Sequence, residues 1–356
     1  MLLSVAALLF LFVIILVIAS RWLKTPGAAP RATLSRAKEN PLLVPSPEEP
    51  WKNAAVFNPA AVLVDGKIRL FYRALGTDGV SRIGYAESDD GIHFQESAEP
   101  AFSLRTPDPA FKNPFTAPRY DRDRYASGGG WGGSEDPRAV VIDGTLYLTF
   151  GVFEGWESMR IALISLSVEN LKEKKWHWAE HAFISPQHET HKNWVMFPEK
   201  IHGKFAILHA LTPKVLIDYA DSPDEWRTHP IRSNNHRTGR KGTWDAFVRG
   251  AAAPPIKTKY GWLLLYHGMD PAAGPGYKVG AMLLDLDDPT KILHRSDAPV
   301  LEPKEWYEND WKPGVVYASG AVVKDGTLFV YYGGGDKTVS LATAPLDAFL
   351  KNLLLS

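Results

Sequence analysis

The chain has 356 residues with 40 basic and 40 acidic side chains, so it lacks the charge excess that a nucleic-acid partner would require. It contains no cysteine, which excludes disulfides, thiolate zinc sites and a cysteine nucleophile. Its 45% hydrophobic content, with 29 Gly and 27 Pro, is that of a globular protein.

The first element is an apolar run over residues 2–19, long enough for a membrane-spanning helix. No clear cleavage site follows it, so residues 1–20 are predicted to be an uncleaved single-pass anchor. Arg21, Lys24, Arg31, Arg36 and Lys38 follow the run and no cation precedes it, which predicts a catalytic part on the cytoplasmic side. Residues 21–40 are rich in proline and charge and read as a stiff linker into a catalytic domain over 41–350.

That domain is organised by an internal repeat. Five segments align on a turn glycine: VLVDGKIRLFYRA, VVIDGTLYLTFGV, EKIHGKFAILHAL, IKTKYGWLLLYHGM and VVKDGTLFVYYGG, with Gly66, Gly144, Gly203, Gly261 and Gly326 at the turns. Each reads as a β-hairpin. Six positions beyond each glycine stands an aromatic residue or histidine: Tyr72, Phe150, His209, His267 and Tyr332. A third strand follows every hairpin and starts beside a cation, giving Arg82, Arg160, Lys214, Lys278 and Lys337. The stretches IHFQE, KWHWAE and EWRTHP are candidates for fourth strands. Four strands repeated five times predict an all-β, five-bladed β-propeller carrying the N-terminal anchor helix. The segment PLLVP (41–45) nearly copies PVLEP (299–303), which ends the fourth unit, and is predicted to supply the outer strand that the fifth unit lacks.

The residues entering each inner strand are the ones to inspect for chemistry. Asp136, in the tetrapeptide Glu135-Asp136-Pro137-Arg138, is the sharpest candidate for a general acid; the alternative is a turn cap paired with Arg138. To act as an acid near neutral pH its pKa must be raised by burial or by another negative charge. The five strand-end cations fit either an anionic ligand or solvated strand ends, and Lys192 and His209 add two donors. The glycine run GGGWGGS (128–134) closes a long connection, about 95 to 134, that reads as a lid, an acceptor-binding loop or a surface insertion. His181, His188 and His191 match no metal-ligand spacing, and no metal is expected.

Taken in order, VFNPAAVLVDGKIRLFYRA, SRIGYAESDDGIHF, SEDPRAVVIDGTLYLTF, KNWVMFPEKIHGKFAILH, PPIKTKYGWLLLYHG, VGAMLLDLDDPTKILHRSDAPVLEP and VYYGGGDKTVSLATA resemble glycoside hydrolase family 130, the β-mannoside phosphorylases and related mannosidases. The resemblance runs from about Asn40 to Ala344. It implies a five-bladed propeller and inverting phosphorolysis of a mannoside or manno-oligosaccharide to α-mannose 1-phosphate. Inorganic phosphate is then the co-substrate, and no cofactor is expected. Asp136 takes the general-acid position, its proton passing through a hydroxyl of the bound mannose. Arg160, Lys192 and His209 match phosphate-binding positions, and Asn58, Arg73 and Asp336 match positions that hold the mannose. One departure is Ala210, where the family commonly has arginine after Leu-His. Two other readings stand beside this one: a β-mannosidase that activates water with a carboxylate base such as Glu199, Asp245, Glu302 or Glu308, and a membrane-tethered, non-catalytic sugar-binding protein.

Overall fold

The computed structural model describes residues 31–104, 132–153, 159–274 and 276–355. The fold is all-β, and its framework is the repeated hairpin. Ala55–Val64 pairs with Lys67–Leu75, Gly132–Ile142 with Thr145–Phe153, Val195–Met196 with Phe205–Ala210, Ile256–Thr258 with Gly261–Met269, and Val316–Lys324 with Thr327–Gly334. Third strands follow at Val80–Ser88, Met159–Ser167, Leu216–Ala220, Lys278–Leu284 and Thr338–Pro345.

The expected five separate blades are not what the hydrogen bonds form. The described residues make four sheets, of four, three, five and eight strands. The first two hairpin units fuse into the eight-stranded sheet because Val80 and Ser81 pair in parallel with Gly132 and Gly133. Glycine permits this approach: Gly133 has φ +95°, and a Cβ there would lie 2.1 Å from the Ser81 carbonyl oxygen. The end of the glycine run thus joins two units edge to edge.

The predicted N-terminal closure is present, but shifted. Ser35–Arg36, rather than 41–45, forms the strand against Thr343 and Ala342, while Leu43 adds a single bridge to Val339. Buried Glu308 secures this segment, accepting from Arg36 Nε at 2.7 Å and from the Tyr332 hydroxyl at 2.8 Å. Behind it Ala32 and Leu34 share a core with Phe349, Leu350 and Leu353 of the helix Leu346–Leu354.

Two fourth-strand expectations also change. Glu225–Thr228 is a short helix with Asp224 at its N-cap and an acidic first turn that favours helical geometry over a strand. Trp176 and Trp178 stack in parallel, 6.2 Å apart, and pack edge-on against Phe71, sealing the first unit against the second.

The fourth hairpin is offset by one residue from the sequence alignment. Thr258 pairs with Gly261, so Lys259 and Tyr260 make the turn and Gly261 is the first residue of the strand. Tyr266, not His267, is therefore the counterpart of Tyr72 and Tyr332. All three hydroxyls bond a carboxylate: Glu96 at 2.7 Å, Asp245 at 2.6 Å and Glu308 at 2.8 Å.

No helix among the described residues is long and apolar enough to cross a membrane. The expected single-pass anchor and the membrane localisation built on it thus have no support among the described residues; the run 2–19 itself lies outside them.

Candidate active site

The site grows from a recurring backbone fault. The inner strands carry bulges between Phe57 and Ala60, Glu135 and Arg138, Val248 and Gly250, and Ala318 and Gly320. A bulge turns the extra residue out of the ladder and re-aims its side chain. Asn58 and Asp136 take left-handed backbone at φ 49° and 50°, which short amide and carboxylate side chains tolerate, and each is followed by proline. Arg249 is the bulged residue of the fourth unit.

These residues converge. Asn58, Arg73, Asp136, Lys192, Asn193, Arg249, Tyr277, Lys312, Tyr317 and Asp336 all line one open cavity. A wider chamber adjoins it, lined by Lys192, His209, Ser233, Arg237 and Arg249 among others. Lys192, Asn193 and Arg249 belong to both walls, so the two form one cleft.

Asp136 is held by its neighbours. Its Oδ1 accepts from Asn58 Nδ2 at 2.8 Å and lies 3.4 Å from Arg73 Nη1. Arg138 donates to the Asp136 backbone carbonyl at 2.7 Å rather than to the carboxylate, so the simple Asp136–Arg138 ion pair is absent. Arg73 is buried, bonded to Glu135 at 2.9 Å and to Ser81 at 2.9 Å. Asp336 pairs with Lys312 at 2.9 Å.

The electrostatics reverse the expectation for a resting acid. Burial pushes the Asp136 carboxyl up, but the charges of Arg73, Lys192 and Arg138 outweigh it and hold the carboxyl below its ordinary range. Lys192 is lowered by burial, against the pull of Glu135 and Asp136. Burial also lowers His209, to about 4, leaving a neutral ring at pH 7.

Of the expected residues, Asn58, Arg73, Asp136, Lys192 and Asp336 come together in the inner cavity, and His209 lines the outer chamber with Lys192. Arg160 lines neither; its guanidinium lies 3.7 Å over the Phe183 ring. The strand-end cations Arg82, Lys278 and Lys337 pair locally with Asp78, Glu302 and Asp310, so they form no anion-binding ring.

Sequence reasoning missed Arg237, Arg249, Tyr277 and Lys312. Arg249 stands just ahead of Pro254-Pro255 in the fourth inner strand, and its place in the repeat was the available signal. Arg237 sits in an irregular stretch with none. Neither Arg237 nor Arg249 is ion-paired among the described residues; both line the outer chamber, Arg249 with its guanidinium 5.4 Å over the Tyr277 ring.

Comparison with known proteins gives this geometry its context. A sequence model described as β-1,4-mannooligosaccharide phosphorylase matches residues 35–354. The chain belongs to glycoside hydrolase family 130. It is 36% identical over 320 residues to a 1,2-β-oligomannan phosphorylase of Thermoanaerobacter sp. (strain X514), spanning 87% of this chain and 96% of that protein. A β-1,2-mannobiose phosphorylase of the same organism is 34% identical over 325 residues, with 87% and 96% covered. Among solved structures, the Listeria innocua β-1,2-mannobiose phosphorylase in complex with β-1,2-mannobiose superposes with a TM-score of 0.68 at 25% identity, covering 91% of this chain and 99% of that one. The family-130 assignment agrees with the resemblance drawn from the motifs.

Proposed function

We propose that this chain cleaves β-1,2-mannosidic bonds of manno-oligosaccharides by inverting phosphorolysis, with inorganic phosphate as co-substrate. The observation that carries the proposal is the shared wall between the two chambers. Asp136 lines the inner cavity, and Lys192 and Arg249 continue from it into a chamber where Arg237 and His209 can receive an anion. The two Thermoanaerobacter relatives, both named as phosphorylases of β-1,2-linked mannosides, support the β-1,2 linkage.

In the proposed step, a phosphate oxygen bonds to the anomeric carbon from the outer chamber while the bond to the glycosidic oxygen breaks on the opposite face. The departing oxygen takes a proton, passed from the Asp136 carboxyl through a mannose hydroxyl. Mannoside, hydrogen phosphate and protonated carboxyl become α-mannose 1-phosphate, a shortened acceptor and the carboxylate. Asn58, Arg73 and Asp336 fix the mannose and the acid, while Lys192, His209, Arg237 and Arg249 hold the phosphate. Arg237 and Arg249 supply charge where Ala210 cannot.

The placement of the four carboxylates that the sequence offered as a base weighs against their activating water, which needs a base across the sugar from the acid. Glu199 pairs with Lys257 and Glu302 with Lys278. Asp245 and Glu308 are buried against Arg240 and Arg36. None of these four lines the cleft.

A panel of β-1,2-, β-1,3- and β-1,4-mannobiose, each with and without phosphate, tests the proposal. The expected result is phosphate-dependent loss of the β-1,2 isomer at least ~10-fold faster than of the others, since orienting contacts worth 1.4 kcal/mol give a tenfold rate difference. Preferential cleavage of another isomer would refute the linkage; equal cleavage without phosphate would refute phosphorolysis.

A further inference from the structure

The outer chamber holds two imidazoles among its cations, and one of them, His191, is bonded through Nε2 to Glu189 at 2.6 Å. Lys192, Arg237 and Arg249 can only donate hydrogen bonds. His209 sits at the bulge between Leu208 and Ala210, where its carbonyl oxygen accepts instead from the Ser233 hydroxyl at 3.0 Å. A serine hydroxyl has a single hydrogen. With that hydrogen directed to the carbonyl, the same Oγ, 3.0 Å from His209 Nδ1, must accept there. Nδ1 therefore carries the imidazole proton and Nε2 presents a lone pair.

The ring's surroundings keep it in that state. Burial and nearby His191 disfavour the charged form, and only Asp218 opposes them. Nε2 bonds no described residue, while the ring lines the chamber. The carboxylate in the chamber wall, Glu189, is half-exposed and bonded to His191 at 2.6 Å.

We propose that His209 is a specificity-determining residue that selects hydrogen phosphate over fully deprotonated tetrahedral anions, accepting the P–O–H hydrogen at Nε2. The proposal rests on the phosphorolytic reading and adds its selectivity. Both phosphate species present near neutral pH carry a hydroxyl hydrogen. Sulfate carries none, so one of its oxygens would face the Nε2 lone pair. Ser233 is the positioning residue that sets the tautomer.

The test uses the full chain, with inorganic phosphate and sulfate as probes in titration calorimetry at pH 7 and histidine ¹⁵N–¹H NMR. The expected Kd for sulfate exceeds that for phosphate by at least ~10-fold, the scale of one charge-assisted hydrogen bond exchanged for a repulsive contact. The His209 spectrum should show a protonated Nδ1 and an unprotonated Nε2. Ser233→Ala frees the tautomer, and the sulfate-to-phosphate ratio should fall towards one. Equal binding of the two anions by the wild type, binding of neither, or a protonated Nε2 would overturn the proposal, and none of these depends on the variant folding. Failure of phosphorolysis itself is recognised separately, as absence of mannose 1-phosphate from a protein that still discriminates the anions.

Discussion

Asp136→Asn is expected to lower kcat for phosphorolysis by about 10³-fold, within the range that general-acid groups contribute. The substitution conserves shape. An amide oxygen can still accept from Asn58 Nδ2, and Arg73 keeps its bonds to Glu135 and Ser81. The lost property is the capacity to release a proton to the departing oxygen. Binding of the mannoside, followed by calorimetry with the intact disaccharide, should change by less than ~10-fold, because the residues proposed to hold the sugar are untouched. A variant that keeps more than about a tenth of wild-type kcat would remove Asp136 from the acid role.

Lys192→Met is expected to act on both chambers. Removing one charged donor from the anion chamber should raise the phosphate KM by roughly 10- to 100-fold, the cost of a hydrogen bond to a charged group. Its second effect has a definite sign. Lys192 is one of the cations that hold the Asp136 carboxyl down. Without that charge the pKa of Asp136 rises, and its protonated, acid-competent form persists to higher pH. The alkaline limb of the kcat profile, measured at saturating phosphate, should therefore move to higher pH in the variant. A downward shift, or an unchanged limb with unchanged phosphate KM, would show that Lys192 does not couple the chambers.

The same electrostatics suggest what phosphate does for the acid. In the free protein Arg73, Lys192 and Arg138 keep Asp136 ionised. An anion drawn to Lys192 and Arg249 counters part of that field and raises the carboxyl towards its working range. On the proposed reading, acid and nucleophile then become competent together, which disfavours bond cleavage in the absence of phosphate.

The repeat was legible where turn chemistry announced itself. Gly66, Gly144, Gly203 and Gly326 occupy turns at φ between 73° and 79°, and their hairpins lie where the sequence places them. Gly261 misled because the Lys259-Tyr260 turn leaves the glycine in the strand, and this shifts the aromatic match from Tyr266 to His267. The separation into sheets was not legible, since it turns on whether Gly132 and Gly133 meet a distant strand edge. In the site, Asn58 and Asp136 were visible through the proline that follows each bulge. Arg249 occupies an equivalent bulge before alanine and glycine, without that mark. The charge state of Asp136 was not legible for a physical reason: burial alone would raise its pKa, and two of the cations that outweigh it, Arg73 and Lys192, lie far from it in the chain.

The most direct test of the account is the first product formed from β-1,2-mannobiose in the presence of phosphate, observed by ¹H and ³¹P NMR. The account predicts α-mannose 1-phosphate, one molecule for each bond cleaved, and no cleavage when phosphate is withheld. Free mannose released from both sugar units at an equal rate without phosphate, or the β-anomer of the phosphate ester, would contradict it.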